Sequence, residues 1–333
     1  MNLLKMSPVQ KIMVTHSPTI AGSFEPDEIV VLHEDGSVTQ PESGFLSGDA
    51  GVVARWWVGR QLEPLTAGTV IAVEGASDRI IVNRVAAVLK LDLDWYDVVV
   101  AETGGCGDMW VVEAIFGSGG FDIPLFELVD DDNRQVIANR VGADPDDPED
   151  LAKHDVFVSD KDLEDEYIRA IGVPAFWSRI KASGAFSRRE LRQCRAGRDG
   201  NPTAADLAEL ARRKKVPAAF VAASLLDEKN APLVQSVVRL LSAPAPCNMK
   251  PTCLRVDPSA PDNRVVFGAA SGAGAGEGCA ALRARARVVA VVRAPRGARD
   301  DRRFARARGF AAGPVRYRAA RRVVGRHRVQ PRA

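Results

Sequence analysis

The sequence predicts an α/β fold: a parallel sheet with helices on both faces, followed by a small helical appendage and a C-terminal tail without order. Three observations predict it. Between residues 68 and 172, short apolar runs alternate with stretches of helical spacing, the rhythm of a parallel sheet covered by crossover helices. From 173 to 241 the pattern is helical only. From 242 onward Arg, Ala, Gly, Val and Pro dominate without sustained periodicity, a composition that cannot be relied on to bury a core.

The elements follow in order. Residues 1–40 hold two short buried strands, Ile12–Val14 and Glu28–Leu32, with turns at His16-Ser17-Pro18 and Asp35-Gly36, and 41–67 reads as a linker. The run TVIAV (69–73) ends in Glu74-Gly75, and Ser77 to Lys90 carries Ile80, Ile81, Val85, Val88 and Leu89 at helical spacing, with Ser77 suited to cap it. DVVVAE (97–102) ends in Thr103-Gly104-Gly105 and leads to a helix over about 108–116; IPLFELV (123–129) ends in Asp130-Asp131-Asp132. VFVSD (156–160) is a fourth strand before the helix DLEDEYIRAIG, and two further helices, 204–213 and 218–226, flank Lys214-Lys215-Val216-Pro217. In the tail no lysine follows Lys250, an abrupt loss that suggests the hypothesis of a shifted reading frame in GC-rich DNA.

Composition narrows the function classes. At 333 residues, 46% hydrophobic and 26% charged, the chain can bury one α/β core and a smaller unit. No apolar run reaches the roughly 18–20 residues that span a bilayer, and MNLLKMSPVQ lacks a signal-peptide core, so a soluble cytoplasmic protein with no membrane partner is expected. Cys106, Cys194, Cys247, Cys253 and Cys279 are scattered without a C-x-x-C pair, against a disulfide framework or zinc knuckle. The net charge of +2 hides a segregation of acids in 130–166 from arginines after Ala281.

In an open parallel sheet, ligands bind beyond the carboxyl ends of the strands. The acids sit there: Glu74 ends one strand, Asp78 lies in the first turn of the next helix, and Asp130 and Asp132 end another strand, where alternation turns Asp131 away. Converging carboxylates need protons or a hard cation, which points to Mg²⁺ or Mn²⁺, and two such ions about 4 Å apart suit phosphodiester hydrolysis. The loop G-x-x-x-x-G-K-[ST] occurs nowhere, so this chain alone is not expected to bind ATP. ETGGCGD (102–108) could approach an anion, Cys106 has no evident histidine partner, and ADPDDPED (143–150) lacks calcium-loop spacing and reads as a solvated loop.

VEGASD (73–78) with LVDDD (128–132) resembles the glutamate and D-x-D motifs of Toprim domains, Rossmann-like units shared by some topoisomerases, primases and nucleases. The E-x-x-x-D form is similar to that of overcoming-lysogenization-defect (OLD) nucleases. That resemblance implies a metal-dependent DNA endonuclease with Glu74, Asp78, Asp130, Asp132 and Glu164 of DLEDEY as ligands, and with Glu74 and Lys215 as catalytic groups. Lys214 competes for the lysine role, and DLEDEY reads equally as an acidic helix start. The THSP turn is similar to the end of an ABC-type ATPase head, with His16 as its switch histidine or merely a turn residue. On this resemblance 1–40 is an ATPase remnant, 68–172 the Toprim domain and 173–241 an appendage, while DNA, a separate ATPase fragment or a second copy are the implied partners. Two other readings stand: a truncated, non-catalytic remnant that binds metal and nucleic acid, and a topoisomerase- or primase-like enzyme, which would need a nucleophile among Tyr96, Tyr167 and Tyr317.

Overall fold

The computed structural model describes residues 11–15, 17–32, 38–105, 109–195, 201–243, 255–256, 265–266 and 288–293. The described residues open with β1 (Lys11–Thr15), the short α1 (Pro18–Ala21), β2 (Ile29–Leu32) and β3 (Val38–Thr39), and then α2 (Asp49–Val58). The alternating section comprises β4 (Thr69–Val73), α3 (Ala76–Val88), β5 (Val98–Glu102), α4 (Met109–Phe116), β6 (Leu125–Val129), α5 (Arg134–Val141), α6 (Pro148–Lys153), β7 (Val156–Val158) and α7 (Leu163–Ile171). Five helices follow: α8 (Val173–Ser183), α9 (Arg188–Arg195), α10 (Ala204–Arg213), α11 (Lys215–Ala223) and α12 (Gln235–Ser242). Three strands fall in the tail: β8 (Arg255–Val256), β9 (Val265–Val266) and β10 (Val288–Arg293).

The central sheet is parallel, in the order β5-β4-β6-β7, with Ile71 opposite both Val100 and Phe126. Successive side chains of a strand point to opposite faces, and here each face has its own core. Ile71, Val73, Val98, Val100, Phe126, Leu128 and Phe157 pack with α3 and the helices after α7, burying Phe176, Trp177, Leu207, Ala218 and Val237. Val70, Ala72, Ala101, Val129 and Val156 face the other way, onto Trp57, Val58, Met109, Ile115, Phe116 and Ile137.

This arrangement changes two expected boundaries. Residues 41–67 are not a bare linker: α2 buries Gly51, Ala54, Trp57 and Val58, positions spaced for one helical face, and Leu62 and Leu65 extend that contact. Residues 173–241 do not stand apart from the sheet either, because α8, α10, α11 and α12 form one continuous core with it. The apolar stripes of these helices pack on one another, on α3 and on the sheet face that α3 covers.

A second sheet is antiparallel, in the order β1-β10-β2-β3. β10 enters it between two strands from the start of the chain, pairing Ala290 with both Val14 and Val30. The reading of 242–333 as a tail without order made no place for this strand, although VVAVVR is rich in β-branched residues. His16, Cys106 and most of the tail lie outside the described residues, as does the turn at Asp35-Gly36. Among the described residues no helix is long and apolar enough to cross a membrane.

Candidate metal-binding carboxylate site

Glu74 follows directly from the fully buried β4, and Gly75 then sits in extended backbone as the cap of α3. The Gly75 N–H donates to Asp78 Oδ2 at 3.0 Å, and the Ser77 hydroxyl donates to Asp78 Oδ1 at 3.1 Å. Ser77 is therefore not the cap itself. It lies within the first turn and helps to fix Asp78, which is buried. Glu74 is oriented from across the sheet, by Asn133 Nδ2 donating to its Oε1 at 2.7 Å.

Asp130 ends β6, and the chain then winds into a 3-10 turn, Asp131–Asn133, closed by the Asn133 N–H donating to the Asp130 carbonyl at 3.0 Å. Strand alternation does not continue through these acids. Asp130 turns inward and accepts from the Leu163 N–H at 3.3 Å. Asp131 pairs outward with Arg134 at 2.5 Å, and Asp132 is exposed, although near enough to Glu74 to repel it.

The acids of α7 divide their tasks. Asp162 caps the helix by accepting from the Asp165 N–H at 2.7 Å and pairs with Arg212. Asp165 pairs with Arg169 at 2.6 Å, and Glu166 accepts from the Asp160 N–H and from Ser236. Glu164 alone has neither cap nor hydrogen bond: it is 1% exposed and both carboxylate oxygens are buried without a donor. Its nearest cation is Lys215 Nζ at 3.8 Å, which also lies 3.7 Å from Asp130 Oδ2. The two candidate lysines point to different places, since Lys214 turns away to Glu190 and the Ala185 carbonyl.

Burial and mutual repulsion raise every inward carboxylate. Burial pushes Asp130 up to about 6, aided by the charge of Glu74 and opposed by Lys215. Glu164 rises to about 7, again from burial first, with Lys215 pulling it back. Glu74 and Asp78 move upward for the same reason, Glu74 through repulsion by Asp78 and Asp78 through repulsion by Asp130. Burial works against the Lys215 ammonium, but Glu164, Asp130, Asp78 and Glu74 together outweigh it, and its pKa rises.

Two neighbours of the carboxylates were not placed there by the sequence reading. Asn133 holds Glu74, and the only signal was its place directly after the acidic triplet. The Tyr167 hydroxyl is buried without a partner, its pKa raised by burial and then by Glu164, Asp162 and Asp78. Its position three residues beyond Glu164, on the same helical face, was the available hint.

Among the described residues no group of three His, Cys, Asp or Glu side chains is arranged to hold a metal ion as it stands. The donor chemistry nonetheless fits a hard divalent cation: oxygen ligands only, raised carboxylates, and in Glu164 two buried oxygens with unused acceptor capacity. Elsewhere the acids serve local structure. In the 143–150 loop, Asp150 accepts from the Asp144 N–H, Asp144 from the Asp146 N–H and Asp147 from the Glu149 N–H.

Residues 65–132 match the sequence profile described as overcoming lysogenization defect protein-like, TOPRIM domain. No curated protein matches the chain. Among solved structures, the C-terminal region of the Burkholderia pseudomallei OLD protein shows 22% identity and a TM-score of 0.42, over 53% of this chain and 95% of that one. The C-terminal region of the Xanthomonas campestris pv. campestris OLD protein shows 25% identity and a TM-score of 0.42, over 54% and 93%. The profile spans both strand ends that bear the acids, so residues 65–132 of this chain are a Toprim domain of the OLD-like family.

Proposed function

We propose that this chain is a divalent-metal-dependent DNA endonuclease, with Glu74, Asp78, Asp130, Asp132 and Glu164 as the residues that would hold Mg²⁺ or Mn²⁺. The observation that carries the reading is the gathering of four inward carboxylates, drawn from β4, α3, β6 and α7, around one lysine at the carboxyl edge of a Toprim sheet. A bound divalent cation, or a pair of them, supplies Lewis acidity at the phosphodiester and lowers the pKa of water.

The protein groups have separable tasks. Asn133 holds one oxygen of Glu74; the other has no hydrogen-bond partner among the described residues and would accept the proton of the attacking water. Asp78, fixed by Gly75 and Ser77, and Asp130, fixed by Leu163, are pre-oriented donors that need not reorganise on binding. Lys215 stays protonated and offsets the charge that builds on the phosphoryl oxygens as the water O–P bond forms and the bond to the leaving oxygen breaks.

Purified protein is expected to nick supercoiled plasmid in Mn²⁺, and Asp130→Ala to lower the rate by at least about 100-fold. Equal nicking by the variant would defeat the assignment.

One observation favours a second reading, a remnant that binds metal and nucleic acid without cutting. Lys215 already neutralises the carboxylates, and among the described residues no ready-made three-ligand group exists. Calorimetric Mn²⁺ binding without nicking selects that reading. A topoisomerase-like role is disfavoured at Tyr167, whose hydroxyl is buried and cannot reach a DNA backbone; Tyr317 lies outside the described residues.

A further inference from the structure

An exposed tryptophan stands just beyond the carboxyl end of β5, the strand next to the one that leads to Glu74. Trp57 is buried and donates its Nε1–H to the Glu102 carbonyl at 3.1 Å, which fixes the rotation of α2. Neighbouring helix positions differ by about 100° in direction, so locking Trp57 inward sends Trp56 to the rim, where 47% of it is open. Its ring edge lies against Gly104: a Cβ there would meet Trp56 Cη2 at 3.3 Å and Cζ3 at 3.6 Å, and φ at Gly104 is +89°. A glycine is needed at that point both for the backbone and for the indole. One turn further along, the guanidinium of exposed Arg60 sits 4.7 Å from the Trp56 ring centroid, and it makes no ion pair among the described residues.

The position matters as much as the exposure. Gly104 follows Thr103, whose N–H donates to the Val73 carbonyl at 2.9 Å, and Val73 immediately precedes Glu74. Arg79, next to Asp78 and half exposed, reaches Glu102 at 3.0 Å across the same edge. An aromatic surface and two arginines thus lie along the same strand-end edge from which Glu74 and Asp78 emerge. An apolar protein partner would have to strip water from Arg60, whereas a nucleotide offers both a π-face for the ring and an anion for the guanidinium.

We propose that Trp56 and Arg60 form a platform on which an unpaired base of a DNA strand stacks, with the adjoining phosphates drawn past Arg60 and Arg79 toward the carboxylates. The inference rests on the reading that this edge acts on nucleic acid, and it adds a preference for unpaired over fully duplex DNA next to the cut. Base–aromatic stacking is tolerant of sequence, so the platform selects strand state and not a base.

The test uses the full-length chain in EDTA, where no cleavage occurs, and a single-stranded oligodeoxynucleotide with a central 2-aminopurine. Wild type and Trp56→Phe are expected to quench its fluorescence saturably, and Trp56→Ala to bind about 5- to 100-fold more weakly with the quench lost. A blunt duplex, whose bases are already stacked, should show no dependence on Trp56. Unchanged affinity in Trp56→Ala, an equal loss with the duplex, or no quench by wild type overturns the platform. Trp56-dependent binding by a protein that never nicks plasmid defeats the nuclease reading alone, and nicking with Trp56-independent binding defeats the platform alone.

Discussion

Glu164 is a carboxylate with no hydrogen bond, held in check by a lysine too distant to donate one, and its neighbours share the same tension. The folded chain therefore holds protons that the unfolded chain has already lost. Asp130 near 6, Glu164 near 7, and Glu74 and Asp78 shifted upward all bind protons more tightly when folded, so their stabilisation is complete below about pH 4 and is lost as pH rises toward 7. Glu127 extends the trend. Buried on β6 against Glu113, which itself pairs with Arg140, it is pushed up to about 8 by burial and then by the Glu113 charge. In EDTA the urea midpoint is expected to fall between pH 5 and pH 8. Added Mg²⁺ should raise it at pH 8 and hardly at pH 5, and Glu127→Gln should remove the part of the slope that Mg²⁺ leaves. A midpoint that rises over this range would contradict the electrostatics. The placement of Glu74 and Asp130 at strand ends and of Asp78 in a helix's first turn was legible in the sequence because these are local features with local spacing. Asn133, Tyr167 and Glu127 were not, since their importance comes from what the fold brings to them.

At the scale of elements, the strands and helices of the Toprim section were read nearly to their ends, while α2 was missed. DAGVVARWWV has a helical stripe, yet glycines and prolines on either side punctuate it like a loop, and only the sheet face it covers makes it stable. Its anchor is Trp57, packed edge-on to Phe116 with ring centroids 5.4 Å apart. Trp57→Ala should cost about 3–5 kcal/mol, read from chemical denaturation, because a large cavity opens and the Glu102 carbonyl loses a donor. A loss below about 1 kcal/mol would mean that α2 is as dispensable as a linker. The turn after β6 was misread for a related reason: alternation was carried past Asp130, where the chain had already begun to wind.

Taken whole, residues 11–293 gather two apolar layers on one sheet, so neither layer can be removed without exposing the other's floor. The sequence divided this body into linker, catalytic domain and appendage because composition changes at those joints, while the shared core is a long-range property. Leu207→Ala in α10, on the face opposite Trp57, should cost about 2–5 kcal/mol and lower the same single transition seen by fluorescence and by circular dichroism. Two separated transitions would show that 173–241 folds by itself.

The placement of Lys215 at the start of α11 has a consequence for synthesis. The ribosome releases Glu74, Asp78, Asp130 and Glu164 well before the residue that balances them, so a nascent chain carries the acids without their counter-charge and without the helices that close that face. The carboxylate cluster gains its counter-charge only when translation has passed α11, and an interrupted chain holds the acidic motifs without the lysine beside them.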